Sequence, residues 1–415
     1  VTEVVVTGLG ILSPAGRGVE EAWAGVLSGR SAAAPDPQLE EMGTPVTISC
    51  RVPAFDADEE LGRGAKRRLD RFTHLALIAA REAIAHAGLA EEGEERITEV
   101  DADRTGVLLG SGIGGAETWE DEYPRYLDKG PGRVSPMFVP KMLSNTAAGT
   151  IAIRSGARGP NMTVNTACAA GASALHLGRD LLRAGSADVV LAGGVEAGVT
   201  GLSVSAFAQM GALTKNPDAA TASRPFDVGR DGFVIGEAAG VLVLETADHA
   251  AARGATPLAV LAGAGASADA HHATAPPEDG GGAILAMRRA VEDAGQPPER
   301  IGHHNAHGTS TPLNDAAEAR ALRAVFGDHT DRIAVSSTKG VTGHTLGAAG
   351  AIEAIFAIQA LREGLVPPTA NLVEQDPEID LDVVAGAPRE VALEAVLSAS
   401  MGFGGQNAAL VFTPA

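Results

Sequence analysis

Apolar strand-like runs that break into glycine turns and then into alanine-rich helical patterns occur in the same order in both halves of this chain. In the first half Val4-Val5-Val6 enters a glycine turn, and Val107-Leu108-Leu109 leads into Gly110-Ser111-Gly112-Ile113-Gly114-Gly115. A helical pattern then begins after Cys168, and Val189 to Gly194 reads as a further strand. After Leu258-Ala259-Val260-Leu261 the second half gives Ala306-His307, Ala334-Val335-Ser336, a turn at His344 with an alanine-rich helix behind it, and a closing strand at Leu410-Val411-Phe412. With 415 residues, 45% of them apolar, the chain can bury an ample core without disulfide staples. From the residues alone the expected fold class is α/β with mixed sheets, with two halves, 1–252 and 253–415, that divide inside Ala251-Ala252-Arg253-Gly254-Ala255-Thr256-Pro257.

Three of the strand-to-helix turns carry reactive side chains. Cys168, in Val164-Asn165-Thr166-Ala167-Cys168-Ala169-Ala170-Gly171, is one of two cysteines. A free thiol is mostly protonated at neutral pH, but the unpaired N–H groups and the dipole of a helix N-terminus favour its thiolate. The small neighbours leave room for a bulky substrate. Taken alone, such a cysteine reads more readily as buried and inert, and what overturns that lies further along the chain. His307, in Asn305-Ala306-His307-Gly308-Thr309-Ser310-Thr311-Pro312, and His344, in Ser336-Ser337-Thr338-Lys339-Gly340-Val341-Thr342-Gly343-His344, each follow a strand-like run and precede a helical pattern. Loops at the carboxyl ends of strands are where α/β proteins place their chemistry, so the three turns can converge on one pocket.

In this order the motifs resemble the β-ketoacyl-acyl-carrier-protein synthases, most closely the synthase II type, within the thiolase-like condensing enzymes. The resemblance also covers Val4-Val5-Val6-Thr7-Gly8-Leu9-Gly10, Ser223-Arg224-Pro225-Phe226-Asp227, Arg230-Asp231-Gly232-Phe233-Val234 and Gly402-Phe403-Gly404-Gly405-Gln406-Asn407, and so nearly the whole chain. It implies a thiolase-like five-layer αβαβα fold from two duplicated halves and a two-fold dimer whose sheets continue across the interface through the strand around Pro160 to Val164. It implies that Cys168 takes an acyl chain from a carrier-protein phosphopantetheine as a thioester. Malonyl-carrier protein then loses carbon dioxide, and the carbanion attacks that thioester to give a β-ketoacyl product two carbons longer.

By the same resemblance His307 and His344 donate Nε2–H to the malonyl thioester oxygen, which requires neutral imidazoles. The backbone N–H groups of Cys168 and Phe403 form the oxyanion hole, Lys339 stands behind the histidines, and Asp315 and Glu353 are acidic partners further back. The chain has five lysines against 27 arginines, so a lysine inside Ser336-Ser337-Thr338-Lys339 is a poor candidate for an incidental surface charge. Ile113, Phe233, Met401 and Phe403 match pocket or gating positions. Met401 replaces a usual phenylalanine, Gln406 a usual threonine, and Asn314-Asp315 a usual Gly-Asp, the last reminiscent of type II polyketide ketosynthases. Thiolases need a second cysteine near the carboxyl end, but Cys50 lies far from any such motif, and synthase III and chalcone-type enzymes carry Asn where this chain has His344. No cofactor is implied beyond the phosphopantetheine of the acyl carrier protein.

The formal charge of −20 argues against nucleic-acid binding. Carrier proteins are acidic, so docking one needs a local basic patch. Arg63, Lys66, Arg67, Arg68 and Arg71 form the densest basic cluster, of which Lys66, Arg67 and Arg68 are expected to supply much of the field; Arg133 is a second candidate. His303-His304 and His271-His272 suggest a metal, but on a strand His303 and His304 face opposite sides and no carboxylate or cysteine cluster completes a site, so no functional metal is expected. Two cysteines, no apolar run of membrane-spanning length and no signal-like stretch point to the cytoplasm. Three readings follow. The chain is a fatty-acid elongating synthase, or the ketosynthase of a type II polyketide or polyene system paired with a chain-length-factor homologue, or a non-catalytic scaffold that forms no thioester. Homodimer or heterodimer, primer and chain length are left open.

Overall fold

In the computed structural model, which describes residues 2–91 and 94–415, each half of the chain builds a five-stranded mixed sheet. The first contains β1 (Val4–Ser13), β2 (Thr105–Gly110), β3 (Asn161–Val164), β4 (Val189–Ala197) and β5 (Glu237–Thr246) in the order β3-β2-β4-β5-β1. The second contains β6 (Ala259–Ala268), β7 (Ile301–Asn305), β8 (Ala334–Ser336), β9 (Ala395–Gly402) and β10 (Gln406–Thr413) in the matching order β8-β7-β9-β10-β6. The directions match too. In the first sheet β2 runs parallel to β3 and β4, while β5 is antiparallel to β4 and β1. In the second β7 runs parallel to β8 and β9, while β10 is antiparallel to β9 and β6. The sheets join where Val5 pairs with Val260 and Val6 with Ala259.

Seven helices of ten or more residues stand among the described residues: α1 (Arg71–His86), α2 (Ala116–Lys129), α3 (Thr146–Ser155), α4 (Ala170–Arg183), α5 (Gly281–Ala294), α6 (Pro312–Phe326) and α7 (Ala349–Glu363). All but α2 form the layers. α4 and α7 pack against each other between the two sheets. Every residue of α7 from Ala349 to Leu361 is buried, as a helix apolar all round requires. Glycines set the spacing of this middle layer. A Cβ added at Gly171 would lie 2.8 Å from the amide nitrogen of Ala351, and one at Gly350 would lie 2.7 Å from that of Ala172. α1 and α3 cover the outer face of the first sheet, α5 and α6 that of the second, which completes the αβαβα order expected from the resemblance.

Where β6 leaves β1 its free edge is closed by side chains. Arg179, 1% exposed, donates to the carbonyls of Leu261 and Ala262, Asp293 accepts the N–H of Ala264, and Arg289 donates to the carbonyl of Ala266. Buried backbone groups are thus paired without another strand. At the opposite end β3 hydrogen-bonds to β2 along one side, and Met162 on it is exposed.

The two histidines of β7 are internal. His303 Nδ1 is 2.7 Å from the Ala334 carbonyl oxygen, and burial pushes its pKa down to about 4, so it donates as a neutral ring. His304 Nε2 lies 3.0 Å from Glu318 Oε1. His304 thus meets α6, while His303, on the other face of the strand, is tied to β8. Among the described residues no group of three or more His, Cys, Asp or Glu is placed to hold a metal ion, and no helix is long and apolar enough to cross a membrane.

Candidate active site

Cys168 lies in the single helical turn Ala167–Ala169 that opens α4. Ala167 takes a left-handed φ of 48°, and Asn165 braces the bend by accepting the Ala167 N–H and donating to the Gly112 carbonyl. A non-glycine residue in that region marks a turn held in place by its surroundings. The bend aims the sulfur into a cavity of about 370 Å³ that His307, His344, Phe233, Met401 and Phe403 also line. Three turns from distant parts of the chain therefore meet at one point.

The histidine rings stand 5.4 Å apart at 86°. His307 is fixed from α6, where Glu318 accepts its backbone N–H at 2.7 Å and that of Gly308 at 2.8 Å. His344 donates its N–H to the Val234 carbonyl, and its ring meets that of Phe233 edge-on at 5.1 Å. Gly343 before it has φ 64°, and a Cβ there would lie 2.8 Å from Cys50 Sγ. Cys50 is thus a buried packing group behind the His344 turn, and burial raises its pKa far above the ordinary thiol range.

Lys339 is 1% exposed, forms an ion pair with Glu353 on α7, and lies 3.4 Å from His307 Nδ1. An ammonium only donates, so Nδ1 of His307 accepts and Nε2 carries the proton. Burial holds His307 well below the ordinary imidazole value, with the charge of Lys339 and the His344 ring adding to the effect; burial and Lys339 do the same to His344. Both rings are neutral, as donation to an enolate requires. Burial pushes Glu353 up to about 7, with Lys339 pulling the other way.

The thiol departs from expectation. Its helix-start position was expected to favour the thiolate, yet burial pushes Cys168 up to about 11 against the lowering effects of the Phe403 amide, the Lys339 charge and its own amide. Desolvation outweighs the helix start here. The amides of Cys168 and Phe403 both lower the thiol's pKa, so both lie close to the sulfur. Gly402 permits this approach, since a Cβ there would lie 2.4 Å from the Thr166 carbonyl oxygen.

Asp315 does not reach the histidines. It accepts the Phe226 N–H at 2.9 Å and lies 3.5 Å from Arg230 Nε, and burial pushes it up to about 6. It anchors the loop that brings Phe233 to the cavity, while Glu318, one turn further along α6, holds His307. Ile113 is 41% exposed and lies outside the cavity lining in the single chain, with Leu346 as the wall residue near it. Phe207 is a second wall residue missed in the sequence; it packs 5.5 Å from the ring of Phe233.

The basic cluster is less uniform than its sequence suggests. Arg63, Arg67, Arg68 and Arg133 are exposed, but Lys66 Nζ lies 2.6 Å from Asp56, and Asp58 accepts the Lys66 N–H. Arg71 is half-buried and grips the buried Glu237 with two hydrogen bonds. Lys66 and Arg71 therefore contribute little free positive charge.

A five-layer fold from two like halves, with a cysteine and two neutral histidines on one cavity, defines a condensing enzyme of the thiolase-like class. The chain matches the description "Beta-ketoacyl synthase, N-terminal domain" over residues 1–250 and "Beta-ketoacyl synthase, C-terminal domain" over residues 258–373. It is 45% identical to the 3-oxoacyl-[acyl-carrier-protein] synthase 2 of Synechocystis sp. over 410 residues, 99% of this chain and 97% of that protein. Among solved structures it resembles the ketosynthase of AntDE:AntF, a type II PKS acyl-carrier protein in complex with its ketosynthase bound to the hexaketide (TM-score 0.91, 32% identity, 100% and 99% covered). It also resembles the ishigamide ketosynthase/chain length factor (TM-score 0.90, 35% identity, 100% and 99% covered). The chain belongs to the beta-ketoacyl synthase family and is an acyltransferase of the condensing type.

Proposed function

We propose that Cys168 accepts an acyl chain from an acyl carrier protein and that His307 and His344 then drive decarboxylation of malonyl-carrier protein, so that the chain elongates fatty acyl groups in a bacterial type II system. The observation that carries this is the single cavity shared by Cys168 and two neutral imidazoles, one of them fixed as an Nε2–H donor by Lys339. The thiol adds to the acyl thioester of the donor while its proton passes to the departing pantetheine sulfur. The amides of Cys168 and Phe403 receive the oxyanion. Loss of carbon dioxide from the malonyl group leaves an enolate whose oxygen is stabilised by the two Nε2–H donors, and its carbon then displaces Cys168 as the product forms. Glu353 keeps Lys339 in place, and the halves 1–252 and 253–415 divide the work, one carrying the nucleophile and the other both histidines.

A second reading is favoured by Asn314-Asp315 and by the likeness to polyketide ketosynthases: a type II polyketide or polyene ketosynthase paired with a chain-length-factor homologue. In either case the open side of β3 is the proposed dimer edge, and Ile113 reaches the acyl channel when the partner is in place. The enzyme works in the cytoplasm without a cofactor of its own. The two readings separate when purified protein is given acyl-carrier proteins of graded chain length with malonyl-carrier protein and the products are read by mass. Elongation of saturated primers by the protein alone supports the first, activity only with a homologous subunit supports the second, and no product with any combination rejects both.

Docking rests on Arg63, Arg67 and Arg68, with the exposed Arg133 as a second candidate. Reversing Arg63 and Arg67 to Glu should raise KM for carrier-bound substrate about tenfold at low salt, an effect that fades as ionic strength shortens the Debye length to ~8 Å. Reaction with a small thioester mimic should be unchanged. Lys66→Glu should have less effect than either arginine change, because Asp56 already neutralises Lys66. Equal losses on both substrates would show that the changes had damaged the fold.

A further inference from the structure

Glu196, at the end of β4, is 0% exposed, and no cation pairs with it among the described residues. Its Oε1 accepts from Ser111 Oγ at 3.1 Å, Ile113 N at 3.1 Å and Gly114 N at 3.3 Å, and its Oε2 from Gly112 N at 2.7 Å and Gly347 N at 3.1 Å. Four of these five groups are amides that can only donate, which suits an ionised carboxylate although burial works against it. Three glycines make the nest possible. An added Cβ would lie 2.9 Å from Glu196 Oε2 at Gly112 and 2.6 Å from it at Gly347, and one at Gly198 would lie 2.9 Å from Leu346 Cδ1.

The carboxylate stands where two loops meet. One is Ser111–Gly114, tied to the Cys168 turn by the hydrogen bond from Asn165 to the Gly112 carbonyl. The other is the His344 turn, which continues through Leu346, a wall of the cavity with φ 51°, to Gly347. A single side chain therefore fixes the spacing between nucleophile and histidine. We propose that Glu196 is a positioning residue that locks the His344 turn to the Cys168 turn.

The proposal rests on Cys168 as the acylated nucleophile, but iodoacetamide alkylation of Cys168 needs no carrier substrate and so tests it separately. In Glu196→Gln an amide NH2 faces N–H groups that a carboxylate oxygen accepted, and in Glu196→Asp a shorter arm cannot reach both loops. Either change should cut carbon dioxide release from malonyl-carrier protein about tenfold or more as His344 shifts. Acylation of Cys168 should fall by less than about threefold, because the enolate forms only in the later step, and Cys168 should still be alkylated. A folded variant with parental carbon dioxide release, or one that loses acylation as far as decarboxylation, overturns the proposal. If Glu196→Gln does not fold, Glu196→Asp gives the same two readings. A parent protein that is alkylated normally but condenses nothing would instead overturn the functional reading.

Discussion

Cys168→Ala is expected to leave the protein folded and to abolish condensation. The side chain is small and sits at the cavity wall with 6% exposure, so its loss should change the unfolding free energy by less than about 2 kcal/mol. Without the sulfur there is no acceptor for the acyl chain, and the malonyl-derived carbanion has no thioester to attack within the site. Removing the nucleophile from a cooperating set costs on the order of 10⁴-fold or more in turnover. The check is formation of the two-carbon-longer β-ketoacyl carrier, measured alongside a urea unfolding curve. Product at a few per cent of the parent rate would assign the nucleophile elsewhere.

The second large effect is expected from the histidines, and it should fall on one step. In His344→Ala, release of carbon dioxide from malonyl-carrier protein should drop by roughly 10²–10³-fold, the usual cost of losing one preorganised donor to a developing oxyanion. Acylation of Cys168 should fall by less than about tenfold, because the enolate exists only after the malonyl group has reacted. His307→Ala should behave alike, with a further loss of order at the Lys339–Glu353 pair, whose ammonium would no longer face a ring nitrogen. Parental carbon dioxide release from His344→Ala would remove the histidine from the proposed role. An equal loss in both steps would show a disturbed site instead.

The parts of this site that could be read from the sequence are those carried by local motifs. Cys168, His307, His344 and Lys339 each sit at a strand-to-helix turn with small neighbours, and the twofold recurrence of strand, turn and helix made their convergence readable. Glu318 and Glu196 were not readable, because what makes them important is a set of backbone amides supplied by other segments. Glu196 meets Gly347 across 151 residues, and only its presence inside the apolar run of β4 marked it. Asp315 was assigned a place behind the histidines that belongs to Glu318, three residues on; both face inward from α6, and sequence spacing cannot say which one meets His307. The basic segment looked uniform because the tertiary turn that brings Asp56 to Lys66 and sends Arg71 to Glu237 is invisible in a string of charges. The thiol's protonation was misjudged for a similar reason. A helix start can be seen in the sequence, whereas the depth of burial that overrides it depends on the whole cavity.

The most direct measurement is the intact mass of the parent protein after exposure to an acyl-carrier protein, with peptide mapping of the added group, before and after malonyl-carrier protein is supplied. The account predicts one acyl group per chain on Cys168, none on Cys50, and its disappearance as a β-ketoacyl product forms. Acyl label on Cys50 or on a hydroxyl, or an acyl-Cys168 that malonyl-carrier protein fails to discharge, would contradict it.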